Sequence, residues 1–273
     1  MDAPIQVRRH GTAGPIVIVL HGGPAAAGSA SGLAQGLSDA FRVLEPWQRG
    51  SGREPLTVAR HVADLHDVIM ASGSPGPPAL VGESWGAMLA LAYAAAHPDA
   101  VGPIALVGCG TFDTKARARI GEVLDERIDA TLRQRLHDLA REFPNPQERL
   151  TKHYDLIKPF YSFDPVEEED DNPPLDVRAH QETWDDMLRL QKEGIYPRAF
   201  AAIRSPVLML HGTYDPHPGR MIRDSLVPYI PQIEYREWER CGHHPWKEPA
   251  VRDEFFAVLR EWLRIQGDAN SGL

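Results

Sequence analysis

One pentapeptide, Gly82-Glu83-Ser84-Trp85-Gly86, constrains this chain more than any other stretch. It is the only Gly-x-Ser-x-Gly match in the sequence. A short apolar run, Ala79-Leu80-Val81, leads into it, and an Ala-rich helical run, Ala87 to Ala96, leads out. A strand, a turn too tight for side chains at its glycines, and a helix would push the serine out at the top of a sheet. Such a turn has a use: it presents a nucleophile.

The rest of the chain supplies the sheet. Pro15 to Leu20, Phe41 to Glu45, Ala79 to Val81, Ile104 to Val107, Pro206 to Leu210 and Ile233 to Trp238 read as strands. Most are continuously apolar, as expected where both faces of a sheet are covered. Ile5 to Arg9 would add an antiparallel edge strand. Between these runs, Thr57 to Ala71 places Val58, Val62, Leu65, Val68 and Ile69 at helical spacing. Trp85 to Ala96 and Val251 to Ile265 read as two more helices. Alternating β and α elements predict an α/β fold, a mostly parallel sheet with helices on both faces.

That rhythm breaks from about residue 113 to residue 204, where the sequence is charged, aromatic and helical. A connection on the order of 90 residues is too long for a plain loop. The reading is a core built from residues 1–112 and 205–273, with 113–204 forming a helical cap inserted between two strands.

A serine hydroxyl needs an adjacent base, and the base needs an acid to orient it. Strand Val207 to Leu210 runs into His211-Gly-Thr-Tyr-Asp215, placing Asp215 past a strand end. Strand Ile233 to Trp238 is followed by Cys241-Gly242-His243-His244-Pro245. The assignment is Ser84 as nucleophile, His243 as base and Asp215 as acid. Asp113 is the rival acid and His244 the rival base. His211 reads as buried and hydrogen-bonded to backbone. An oxyanion needs donors: the Trp85 N–H from the turn and the Gly23 N–H from His21-Gly22-Gly23-Pro24. His211, Asp215, His217, His243 and His244 also permit a metal reading. It is set aside, because no His-x-x-x-His or Cys-x-x-Cys spacing supports zinc.

Together these residues resemble the α/β-hydrolase superfamily over nearly the whole chain outside the insertion. A closer resemblance is to its prolyl aminopeptidase (proline iminopeptidase) branch, which shows His-Gly-Gly-Pro-Gly, Asp-Gln-Arg-Gly-x-Gly and Gly-Gly-Ser-Trp-Gly. This chain has His21-Gly-Gly-Pro24, Trp47-Gln48-Arg49-Gly50-Ser51-Gly52 and Gly82-Glu-Ser-Trp-Gly86. It departs at Ala25, Trp47 and Glu83, and the three proposed triad residues are untouched. The resemblance implies a helical cap whose carboxylates bind the free amine of an N-terminal proline. Here the cap offers Glu167, Glu168, Glu169, Asp170 and Asp171, although such a charge block reads first as a solvated acidic loop. Tyr154, Phe160, Tyr161, Phe163 and Trp184 are candidates for the pocket or for the cap's own core. Tyr161 and Trp184 are the substrate-binding choices.

The expected function is a serine hydrolase that forms a covalent acyl-enzyme on a small-molecule or short-peptide substrate. An N-terminal-proline aminopeptidase, a carboxylesterase or lactonase, and a C–C bond hydrolase all fit. A serine at the elbow sets the chain apart from the dehalogenase and epoxide-hydrolase versions of the fold, which use aspartate there. A net charge of −9 over 273 residues offers no basic stripe for nucleic acid or an anionic membrane. No redox or nucleotide cofactor is implied, since there is no Gly-x-Gly-x-x-Gly or P-loop match. The first residues show no signal-peptide pattern, and the two cysteines make no disulfide framework, so a cytoplasmic protein is expected.

Overall fold

The structure is a computed structural model that describes residues 5–166 and 172–271, with side chains as far as residue 267. The acidic run 167–171 lies outside the described residues. Among the described residues, seven strands form one sheet in the order β1-β3-β2-β4-β5-β6-β7. They are β1 (Val7–His10), β2 (Ile16–Leu20), β3 (Arg42–Pro46), β4 (Ala79–Glu83), β5 (Ile104–Val107), β6 (Val207–Gly212) and β7 (Ile233–Trp238). All pairs are parallel except β1 with β3, where Val7 faces Pro46 in an antiparallel edge.

Alternate residues of each central strand feed two cores. Ile16, Ile18, Leu20, Leu80, Ile104 and Leu106 face one side, with α2 (Val58–Met70) and α3 (Trp85–Ala96). Val17, Val19, Val81, Ala105 and Val107 face the other, with α1 (Ser31–Leu37) and α9 (Arg252–Ser271). Two apolar faces require unbroken apolar strands, as the sequence has them. Helix α3 is buried on every side from Trp85 to Ala94, which explains its nearly uniform apolar character. Helix α2 is amphipathic, and its Thr57 Oγ1 caps it by accepting from the Arg60 N–H at 3.1 Å.

Two helices were not anticipated. α1 carries Gly32 and Gly36 in seven residues, which lowers its intrinsic helix propensity. It stands because it packs: a Cβ at Gly36 would fall 1.9 Å from the Phe256 ring. α8 (Gly219–Leu226) is short and buries only Ile222 and Leu226.

Between β5 and β6 lie α4 (Thr114–Arg127), α5 (Ala130–Glu142), α6 (Pro146–Ile157) and α7 (Val177–Lys192), with short 3-10 turns at Lys158–Tyr161 and Arg198–Ala202. α7 is fastened to the core by carboxylates. Asp186 accepts from the Val58 N–H at 2.8 Å, Glu182 from the Leu56 N–H at 2.9 Å, and Asp176 from the Ser51 N–H at 2.8 Å. The first of these satisfies an N–H that α2 itself leaves free. Among the described residues no helix is long and apolar enough to cross a membrane.

The chain runs from β2 to β3 on one side and to β4 on the other, so the strand order reverses between β2 and β4. Open α/β sheets leave a crevice at the carboxyl ends of such a pair. Ser84 follows β4 and His21-Gly22-Gly23 follows β2.

Tight packing at that crevice makes opposite predictions for two glycines. A Cβ at Gly86 would stand 2.2 Å from the Leu20 carbonyl oxygen, whereas one at Gly121, exposed in α4, meets nothing within 4 Å. Gly86→Ala is expected to cost about 1–3 kcal/mol or more. Gly121→Ala should add about 0.5–1 kcal/mol. Urea unfolding of both variants checks the pair.

Candidate active site

Strand β4 ends at Glu83, and the backbone reverses at Ser84 with φ 53° and ψ −113°. A non-glycine residue held there costs on the order of 1–3 kcal/mol, which its surroundings must offset. They do so locally. The Ser84 N–H donates to the Val107 carbonyl at 2.8 Å, and its own carbonyl accepts from the Ala87 N–H at 3.2 Å as α3 begins. A Cβ at Gly82 would lie 2.3 Å from the Gly86 carbonyl oxygen. The turn therefore closes only with glycine at both ends. Ser84 remains partly exposed while its neighbours are buried.

Asp215 lies three residues past β6, in a turn closed by its N–H to the Gly212 carbonyl at 3.2 Å. His243 Nδ1 lies 2.7 Å from Asp215 Oδ2. A carboxylate only accepts, so Nδ1 carries the proton and Nε2 keeps its lone pair. Gly108, at φ +55°, comes so close beneath the imidazole that a Cβ would stand 3.0 Å from Nδ1. Asp215 Oδ1 accepts from the His217 N–H at 2.9 Å, and the His217 ring stacks on His243 with centroids 4.6 Å apart. Burial by itself would raise the Asp215 pKa. The charges of His243 and His217, with contacts from His211 and His217, outweigh it and hold the carboxyl well below its usual range. For His243 burial is the largest influence and depresses the pKa, against the upward pull of Asp215.

The loop after β2 is clamped by Gln48. Its N–H donates to His21 Nε2 at 3.0 Å, its side-chain amide donates to the His21 carbonyl at 2.8 Å, and its Oε1 accepts from the Trp85 indole at 2.7 Å. One side chain thus ties the first glycine loop to the elbow. Gly23 sits at φ +115°, a conformation that suits glycine. Ala25, where the resembling branch has glycine, keeps a left-handed φ of 68° at a cost of about 1–2 kcal/mol. The Trp85 N–H opens α3, where a helix supplies no internal acceptor. In the second motif, Arg49 forms a two-pronged ion pair with Asp64 of α2 at 2.8 Å, and Trp47 lies under the Arg8 guanidinium.

The rival residues go elsewhere. Asp113 Oδ1 caps α4, accepting from the Lys115 and Ala116 N–H groups at 2.9 Å each. His244 turns toward Glu83, its Nε2 3.3 Å from Oε1. His211 is buried, but neither ring nitrogen has a hydrogen-bond partner among the described residues, and Nε2 lies 3.3 Å from Asp215 Oδ2. Tyr161 stands edge-on to His243 at 5.5 Å, and Trp184 edge-on to Trp85 at 6.2 Å. Phe163 instead packs on Tyr214, at 5.4 Å.

Two residues carry roles the sequence did not disclose. Glu248, 1% exposed, accepts from the Phe163 N–H at 2.7 Å, the Asp164 N–H at 2.8 Å and the Gly242 N–H at 3.1 Å. It binds the histidine loop to the segment after α6, and the His243 N–H adds a bond to the Tyr161 carbonyl at 2.7 Å. No motif marks it, because its partners at 163 and 164 lie more than 80 residues away. Glu83 is the second. Its carboxylate is 3% exposed and lies against Gly22, where a Cβ would stand 2.4 Å from Oε2.

The chain matches the model of the alpha/beta hydrolase fold family over residues 15–245. Among curated relatives, a proline iminopeptidase of Neisseria gonorrhoeae is 39% identical over 99 residues, and the match spans 34% of this chain and 32% of that protein. Among solved structures, a proline iminopeptidase from Mycobacterium smegmatis superposes with a TM-score of 0.67 at 20% identity, covering 97% of this chain and 95% of the other. An esterase from Thermogutta terrifontis does so with a TM-score of 0.62 at 23% identity, covering 95% and 93%. These two likenesses establish the fold.

Removing the Glu248 carboxylate leaves three amides without their charged acceptor. Glu248→Ala is expected to lower stability by about 2–4 kcal/mol. Faster hydrogen exchange at the Phe163, Asp164 and Gly242 amides would accompany the loss, and both are measurable on the same sample.

Proposed function

The chain belongs to the alpha/beta hydrolase fold family, and from this premise we propose that it is a serine hydrolase working through a Ser84–His243–Asp215 triad. The observation that carries the reading is the 2.7 Å bond from His243 Nδ1 to Asp215. It leaves the Nε2 lone pair as the base, on a loop at the same end of the sheet as the elbow. Residues 113–204 are read as a cap over a core of residues 1–112 and 205–273.

In this mechanism Ser84 Oγ attacks the carbonyl carbon of an acyl substrate while His243 Nε2 takes its proton. Asp215 holds the resulting imidazolium in place without itself becoming protonated. The oxygen of the tetrahedral intermediate receives hydrogen bonds from the Gly23 and Trp85 N–H groups, each worth about 3 kcal/mol. As the intermediate collapses, His243 gives its proton to the departing amine or alcohol. Water then attacks the acyl-serine, again with His243 as base, and the acid leaves as Ser84 regains its proton.

The first substrate class is an amide or arylamide of an N-terminal residue, proline above all. The partial likeness to proline iminopeptidases over 99 residues favours it. Tyr161 and Trp184 are read as lining the acyl pocket, given their edge contacts with His243 and Trp85.

Hydrolysis of a proline arylamide and of a series of p-nitrophenyl acyl esters tests the reading, with Ser84→Ala as control. Serine-dependent arylamide cleavage is expected. Cleavage of esters alone would move the assignment to a carboxylesterase, and activity in Ser84→Ala would overturn the triad.

Asp215→Asn is expected to lower kcat by about 10⁴, because it leaves the wrong imidazole tautomer. Steady-state kinetics checks it, with Asp113→Asn retaining activity. The base works as neutral imidazole, and burial holds its pKa below the ordinary 6.5. A kcat/KM profile should therefore be at full height above that lowered value and fall as pH drops through it. An acid limb centred above 6.5 would contradict the burial of His243.

A further inference from the structure

Glu83 is the member of the elbow that the proposed acyl transfer leaves unused, and its surroundings are those of a ligand. Its Oε2 is buried without a hydrogen-bond partner among the described residues. Its Oε1 stands 3.3 Å from His244 Nε2 and 3.6 Å from His243 Nε2. One donor atom from each of the three residues lies within 4.8 Å of the other two.

We propose that Glu83, His243 and His244 form a three-ligand site for a divalent transition-metal ion, with zinc as the fitting probe, and that metal bound there switches the hydrolase off.

Zinc holds imidazole nitrogen and carboxylate oxygen at about 2.0–2.1 Å, so two ligands of a tetrahedral ion stand about 3.4 Å apart. The two measured separations, 3.3 and 3.6 Å, bracket that edge. The rings agree. Two imidazoles sharing a tetrahedral ion have centroids about 5 Å apart. Those of His243 and His244 are 4.8 Å apart, with planes at 86°. The two histidine ligand atoms stand within 4.8 Å of each other and close toward the same edge on binding.

Donor chemistry selects the ion class. Two imidazoles with one carboxylate suit zinc, copper or nickel, while magnesium and calcium take all-oxygen sets. His243 is already prepared as a ligand. Its Nδ1–H is held by Asp215 at 2.7 Å, the outer carboxylate that orients a metal-bound imidazole and raises its basicity. A cation would also add positive charge beside a buried carboxylate whose Oε2 has no hydrogen-bond partner among the described residues. The His244 side chain, 25% exposed, gives the ion a way in from solvent.

A second grouping, Asp215 with His217 and His243, is also compact. It is less suited, because a metal there would have to displace the His243–Asp215 bond. Asp215 Oδ1 is moreover already satisfied by the His217 N–H at 2.9 Å.

The consequence for activity rests on the reading of His243 as the base; the binding itself does not. A metal bond occupies the Nε2 lone pair that must take the Ser84 proton, so bound metal and turnover exclude each other. The metal reading set aside in the sequence already held His243 and His244 but not Glu83, which is far from them in the chain.

The test is zinc binding to the whole protein by competition with a chromogenic chelator, on wild type, Glu83→Gln, His244→Ala and His217→Ala, each first shown to unfold cooperatively. Hydrolase activity is followed in parallel against zinc, with reversal by EDTA. A single ion per chain is expected. Glu83→Gln and His244→Ala should each weaken it by more than the roughly 10–100-fold that even an outer-shell loss costs, and His217→Ala should leave it intact. No binding, or binding that neither Glu83→Gln nor His244→Ala weakens, overturns the site. Loss in His217→Ala alone transfers it to Asp215 and overturns it equally. Binding with the expected ligand dependence in a protein that hydrolyses nothing would sink the triad and leave the metal site standing.

Discussion

The contact on which this molecule depends is steric: the first turn of α3 lies against the end of β2, with Gly86 at the Leu20 carbonyl and Gly82 under Gly86. No side chain fits between them. That close approach forces the reversal at Ser84 into a left-handed conformation and aims its side chain away from the packed backbone. It also brings the glycine loop after β2 beside the start of α3, where Gln48 joins them. The strained residue is affordable because everything around it is rigid: buried strands on either side and a helix buried all round.

Electrostatics then organises the rim. His243 has a carboxylate on each side, Asp215 at Nδ1 and Glu83 beyond Nε2. The two are not equivalent. Asp215 is fully engaged by hydrogen bonds and its position fixes one tautomer. Glu83 has one buried oxygen with nothing to accept from. Both are held below the usual carboxylate range against the effect of burial, because histidines surround them.

Much of this was legible in the sequence, for physical reasons. The central strands could be read because burial on both faces demands unbroken apolar runs. The elbow could be read because its geometry excludes all but glycine at two positions four residues apart. Asp215 and His243 follow strands whose ends are fixed by the sheet, and the structure brings their side chains together. What could not be read depends on contacts distant in the chain. α1 is stabilised by packing on α9, against the tendency of its two glycines. Glu248 and the carboxylates of α7 act on amides that no local pattern identifies, and Gln48, though part of a motif, reaches the His21 carbonyl and the Trp85 indole across the fold. Glu83 was visible as a departure from a motif, but its histidine neighbours come from a loop some 160 residues later.

Glu248 has a consequence for how such a chain could be altered. Its carboxylate serves the loop that bears His243 and, equally, the backbone at Phe163 and Asp164 between α6 and α7. At the other end, α7 lends Asp186 to the N-terminus of α2. The segment between β5 and β6 is therefore not a detachable cassette. Transplanting it from a relative, or trimming it, would strip acceptors from the strands and helices around it. A graft would keep its foundation only if the residues corresponding to 161–164 and 176–186 travelled with their partners.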